Sequence, residues 1–67
     1  MFIVPGALVN HPLQPAWGVG QVQSVIGNRA TVNFEHAGKV VINTDRVTLD
    51  IFDGVAPDGK SGQTDNG

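Results

Sequence analysis

Residues 29–43, RATVNFEHAGKVVIN, carry apolar side chains at every second position on both sides of a glycine. Ala30, Val32 and Phe34 alternate with Arg29, Thr31, Asn33 and Glu35, and a second run follows from Lys39 to Asn43. A period of two is the mark of a half-buried strand, because successive side chains point to opposite faces. Between the runs lies His36-Ala37-Gly38, a three-residue loop ending on the glycine that a left-handed bulge prefers. This hairpin places Phe34 opposite Val40, Val32 opposite Ile42, and Glu35 against Lys39 on the outer face.

Upstream, Gly18–Ile26 makes another strand, with Gly20, Val22, Ser24 and Ile26 on one face. Gly27-Asn28 has the composition of a two-residue turn. A simple two-residue loop, however, pairs Ile26 with Arg29 and Val22 with Asn33, setting core against surface. A one-residue slip inverts every side chain, so burial overrides the turn preference. The expectation is a three-residue loop or a bulge in this strand that brings Val22 to face Phe34. Gly18, Gly20 and Ser24 let the strand bend as a tiny barrel requires. Ala7–His11 and Val47–Ile51 complete five strands, and Thr44-Asp45-Arg46 forms a polar turn with room for one turn of 3₁₀ helix at most.

Sixty-seven residues allow one domain, with a core that is marginal at this size. Cysteine is absent, which removes disulfides, thiolate zinc sites and thiol nucleophiles together and points to a reducing compartment. Met1–Gly6 is apolar but too short for a signal-peptide core, and no run approaches a membrane span. A soluble, cytoplasmic protein is expected. Composition changes near Phe52: residues 53–67 are rich in Gly, Asp and Ser, and are read as a disordered tail after a barrel spanning residues 1–52. Phe2-Ile3-Val4 and Ile51-Phe52 flank the barrel; they either pair with each other and cover an edge, or form a self-association surface.

The net charge is −2, and residues 1–52 balance Arg29, Lys39 and Arg46 against Glu35, Asp45 and Asp50. Affinity for a phosphate backbone needs clustered cations, so the neutral body disfavours nucleic acid as a partner. His11 and His36 lack the supporting ligands of a metal site. His11 is expected to bond backbone near the Pro12 turn, and His36 to sit in an exposed loop. Catalytic constellations and nucleotide-binding loops are missing, so an enzyme and a cofactor are not expected. Four aromatic residues, with Phe34 assigned to the core, are too few for a cage around a methylated cation.

The segment His11-Pro12-Leu13-Gln14-Pro15-Ala16 leads into Trp17-Gly18-Val19-Gly20. Its prolines stiffen the loop, and the glycines clear space around the tryptophan. Trp17 either plugs one end of the barrel or stands partly exposed as a contact residue. The ordered combination Val9-x-His11, Trp17-Gly18-x-Gly20-x-Val22-x-Ser24-Val25, Val32-x-Phe34, Gly38-Lys39 and Leu49 resembles the Tudor-like C-terminal domain of UvrD/PcrA-type DNA repair helicases. It is similar, more loosely, to the RNA-polymerase-binding domain of CarD-type transcription regulators, and it resembles most closely a family of short stand-alone bacterial proteins of unknown function. The likeness covers residues 6–50. The loop between His11 and Trp17 is longer here than in the helicase version. The resemblance implies an all-β, five-stranded SH3-like (Tudor-like) barrel that docks on a protein such as RNA polymerase. Trp17, His11, Arg29 and Lys39 are the partner-binding candidates by position; a nucleic-acid-binding barrel and a structural homo-oligomer are the alternatives.

Overall fold

The computed structural model describes residues 3–52; the segment read as a tail, residues 53–67, lies outside them, as does Phe2. Five strands follow in chain order: β1 (Leu8–Asn10), β2 (Val19–Ile26), β3 (Arg29–Phe34), β4 (Gly38–Asn43) and β5 (Asp50–Ile51). They form one antiparallel sheet in the order β4-β3-β2-β1-β5. This is an all-β fold of five antiparallel strands; the sheet is open between β4 and β5 among the described residues, so the expected barrel is not closed there. β1 and β5 are shorter than the runs that suggested them, Ala7–His11 and Val47–Ile51.

β-Branched residues dominate the inner face, where their stiff side chains pack against neighbours on the pleat. Val9, Val22, Ala30, Val32, Phe34, Ile42 and Leu49 are the buried core. Ile3, Trp17, Val25, Val40 and Val47 pack around it, half-exposed.

The β2–β3 hairpin keeps its two-residue loop, with Ile26 paired to Arg29 and Val25 to Ala30. A bulge between Val22 and Ser24 leaves Gln23 over, so that Val22 lies opposite Val32. The expected bulge is therefore present, but Val22 does not face Phe34. Phe34 lies opposite Gly20 instead, because its ring needs the missing side chain. A Cβ on Gly20 would stand 2.5 Å from Val32 Cγ1 and 2.7 Å from Phe34 Cδ1. The bulge also changes the phase of the strand. Val25, rather than Ser24 or Ile26, packs on the core, and Ile26 is 76% exposed.

The β3–β4 hairpin differs from expectation by two residues along the strand, which preserves both faces. Phe34 pairs with Gly38, Val32 with Val40 and Ala30 with Ile42, while Lys39 lies opposite Asn33 rather than Glu35. The cause is at the loop. Glu35 is tied to β2: its N–H donates to Val19 O at 3.0 Å, and its Oε1 accepts from Val19 N at 3.0 Å. His36 N–H donates to Trp17 O at 3.0 Å. With both residues fastened on that side, Glu35-His36-Ala37 becomes the loop, and Gly38 enters β4 at φ +72°.

Thr44-Asp45-Arg46 is a hydrogen-bonded turn capped by Asn43, whose O accepts from Arg46 N and Val47 N at 3.0 Å each. Among the described residues the 3₁₀ turn lies elsewhere, at Pro15–Trp17. Ile3 and Val4 form no strand, and Ile51 pairs with Val9 of β1 rather than with the N-terminal segment.

Candidate functional site

The loop between β1 and β2 is short on regular structure but dense in constraints. Pro12 and Pro15 fix two φ angles, and Pro15 opens the 3₁₀ turn at the first-turn position proline favours. Gln14 N–H donates to His11 O at 3.2 Å, Trp17 N–H to Gln14 O at 3.0 Å, and Gly18 N–H to Pro15 O at 3.2 Å. Gly18 then turns the chain at φ +77°, where an L side chain is strained. A Cβ there would also stand 2.6 Å from Glu35 Oε1 and 2.9 Å from His36 Cδ2.

His11 is buried, and its Nδ1 accepts from Leu13 N at 3.1 Å. An accepting Nδ1 carries no hydrogen, so the ring hydrogen of the neutral form is on Nε2. The imidazole meets Trp17 edge-on, with centroids 5.0 Å apart and planes at 68°. Trp17 in turn lies 5.2 Å from the Phe34 ring. Tilted and edge-on arrangements suit the ring quadrupoles, each pair adding about 0.5–1.5 kcal/mol beyond area burial. Trp17 is therefore half plug and half surface: it packs against the core yet remains partly open to solvent.

Of the four candidates, this geometry brings His11 and Trp17 together. Lys39 is exposed on β4, opposite Asn33 and one residue from the end where Phe34 lies. Arg29 is exposed at the far end of β3, five residues from Phe34, or about 17 Å along the strand. It belongs to no common site with Trp17. His36 is exposed in the β3–β4 loop.

Leu13 was not singled out by sequence. It is 73% exposed at the tip of the constrained loop, and its backbone N–H is held by His11. The available signal is that it stands between Pro12 and Pro15, outside any alternating run that could bury it. Glu35 was missed as a latch, because sequence assigns it only to the outer face of a hairpin. Away from this cluster, a concavity lies where Ile3, Val25, Val47, Leu49 and Ile51 meet. Among the described residues no group of three His, Cys, Asp or Glu could hold a metal ion, and no helix is long and apolar enough to cross a membrane.

Together these features define a small all-β domain that carries an aromatic cluster beneath a proline-stiffened loop. Residues 3–52 match the family described as protein of unknown function (DUF3553), and the chain belongs to that family. No curated protein and no solved structure matches it.

Proposed function

We propose that this protein is a non-catalytic protein-interaction module of the cytoplasm that docks through the His11–Trp17 loop onto transcription or DNA-repair machinery, RNA polymerase being the partner to test first. The observation that carries the proposal is the combination of Leu13, 73% exposed, with a half-buried Trp17 on a loop already locked by four local hydrogen bonds. A rigid loop loses little entropy on binding, so its apolar contacts translate into affinity rather than into ordering. Aromatic anchors at the centre of an interface carry most of its energy. The likeness of the Val9–Leu49 pattern to Tudor-like and polymerase-binding domains supports the choice of partner; it is an argument by fold analogy.

Charge argues for a protein over nucleic acid. The three cations of the described residues are spread over β3, β4 and the turn after β4, with three carboxylates among them. The test is direct binding of the whole chain to purified RNA polymerase and, separately, to duplex DNA across a salt series. Polymerase binding in the micromolar range that Leu13→Asp weakens at least tenfold is expected. Tight DNA binding with a steep salt slope, and none to polymerase, would overturn the proposal.

A further inference from the structure

We propose that β4 is a self-association edge, at which a second copy of the chain adds its own β4 antiparallel about Val41. The backbone phase exposes the hydrogen-bonding groups this needs. Thr44 N–H donates to Asn28 O at 2.8 Å, and Asn28 and Thr44 are the next pair beyond Arg29 and Asn43. Hydrogen bonding alternates along an antiparallel ladder, so Ile42 and Val40 bond β3, whereas Asn43, Val41 and Lys39 direct N–H and C=O away from it. Among the described residues, no partner takes the N–H and C=O of Lys39 and Val41.

Edge strands are ordinarily blunted by shortness, proline, bulges or charge. The two edges of this sheet differ in that respect. β5 has only two residues, one of them Asp50. β4 has six, with no proline, no bulge against β3 and a single charge, Lys39. At its centre Val41 stands 61% exposed.

A second copy fits this edge for two reasons. Pairing Val41 with Val41 across a two-fold axis makes a narrow pair with two N–H···O bonds. Asn43 N–H then reaches Lys39 O of the other copy, twice by symmetry, which leaves Asn43 O to its turn contacts with Arg46 and Val47. The side chains also agree. The exposed valines meet each other as a β-branched cross-strand pair, and Lys39 faces the uncharged Asn43. An edge contact of this length is smaller than a standard interface, so the dimer is a weak, concentration-dependent one.

Sedimentation equilibrium of the whole chain from about 10 μM to about 1 mM covers the affinity of such a contact. The average mass should rise from the chain's 7.0 kDa towards twice that value. Val41→Pro deletes the central N–H at a position that does not bond β3, and should hold the mass at the monomer value. Val41→Asp opposes two carboxylates across the axis without asking anything of the fold, and should do the same even if the proline variant unfolds. Val41→Thr keeps the backbone bonds and should associate as the native chain does. Leu13→Asp, which attacks the loop proposed to bind protein, should also associate normally, so failure of one proposal is separable from failure of the other. A mass fixed at 7.0 kDa throughout, or association undiminished in Val41→Asp, overturns the β4 dimer.

Discussion

Gly20 and Leu13 show two different ways in which a single residue matters here. Gly20 is buried opposite Phe34, and any Cβ would stand 2.5 Å from Val32 and 2.7 Å from the Phe34 ring. Gly20→Ala should therefore cost about 1–3 kcal/mol, the usual range for overpacking a filled core. Urea unfolding followed by the emission of Trp17, the only tryptophan, measures it. A loss below about 0.5 kcal/mol would mean that the ring moves aside freely. Leu13→Asp should lie within about 0.5 kcal/mol of the native chain, because the side chain it replaces is 73% exposed. The contrast with Trp17→Ala matters, since that change removes a ring packed on both His11 and Phe34 and confounds stability with binding. At this scale the sequence was a partial guide. The positions of Trp17 and His11 beside each other, and the bond from His11 to the backbone after Pro12, follow from prolines and glycines near them in the chain. The dependence of Gly20 on Phe34 does not, because it arises from a pairing fourteen residues distant.

Strands were legible from their period, and registers only to within two residues. Val32, Phe34 and Ile42 face inward as the alternation in Arg29–Asn43 requires. A shift of two leaves that alternation satisfied, so hydrophobic pattern alone cannot choose between Val40 and Gly38 as the partner of Phe34. The choice is made by Glu35 and His36, whose bonds to Val19 and Trp17 belong to another part of the chain. The bulge was legible because a regular hairpin with the Gly27-Asn28 loop conflicts with burial, but which residue is extra was not. That residue gives a test. Removing Gln23 leaves the pairs Val22–Val32 and Gly20–Phe34 in place with regular alternation, whereas removing Gln21 displaces Gly20 from Phe34. Both side chains are exposed. The Gln23 deletion should retain a cooperative thermal transition, at lowered Tm, and the Gln21 deletion should lose it. Equal tolerance of both would contradict the bulge. Gly38→Ala adds an independent check on the second hairpin. It meets nothing within 4 Å, so its cost is the left-handed backbone at φ +72°, about 1–2 kcal/mol.

For the molecule as a whole, apolar material is divided between core and surface. Among the described residues seven make up the buried hydrophobic core, and six large apolar side chains stand exposed. Of these, Leu13 lies on a locked loop and Val41 at an open strand edge. The partners proposed for them differ: a foreign protein for the loop, a second copy of the chain for the edge. The body's balanced charge, legible in the sequence from the start, is the reason to look for proteins first. Arg29 serves as an internal control, because it lies about 17 Å along β3 from the aromatic cluster and its removal should leave loop-mediated binding intact. The measurement that bears most directly on the proposed docking role of the His11–Trp17 loop is the affinity of the whole chain for purified RNA polymerase, compared among the native protein, Leu13→Asp and Arg29→Ala at one salt concentration. Micromolar binding that falls at least tenfold for Leu13→Asp and stays within twofold for Arg29→Ala is the predicted result. Binding that ignores Leu13, or a polymerase that does not bind while duplex DNA does, would contradict it.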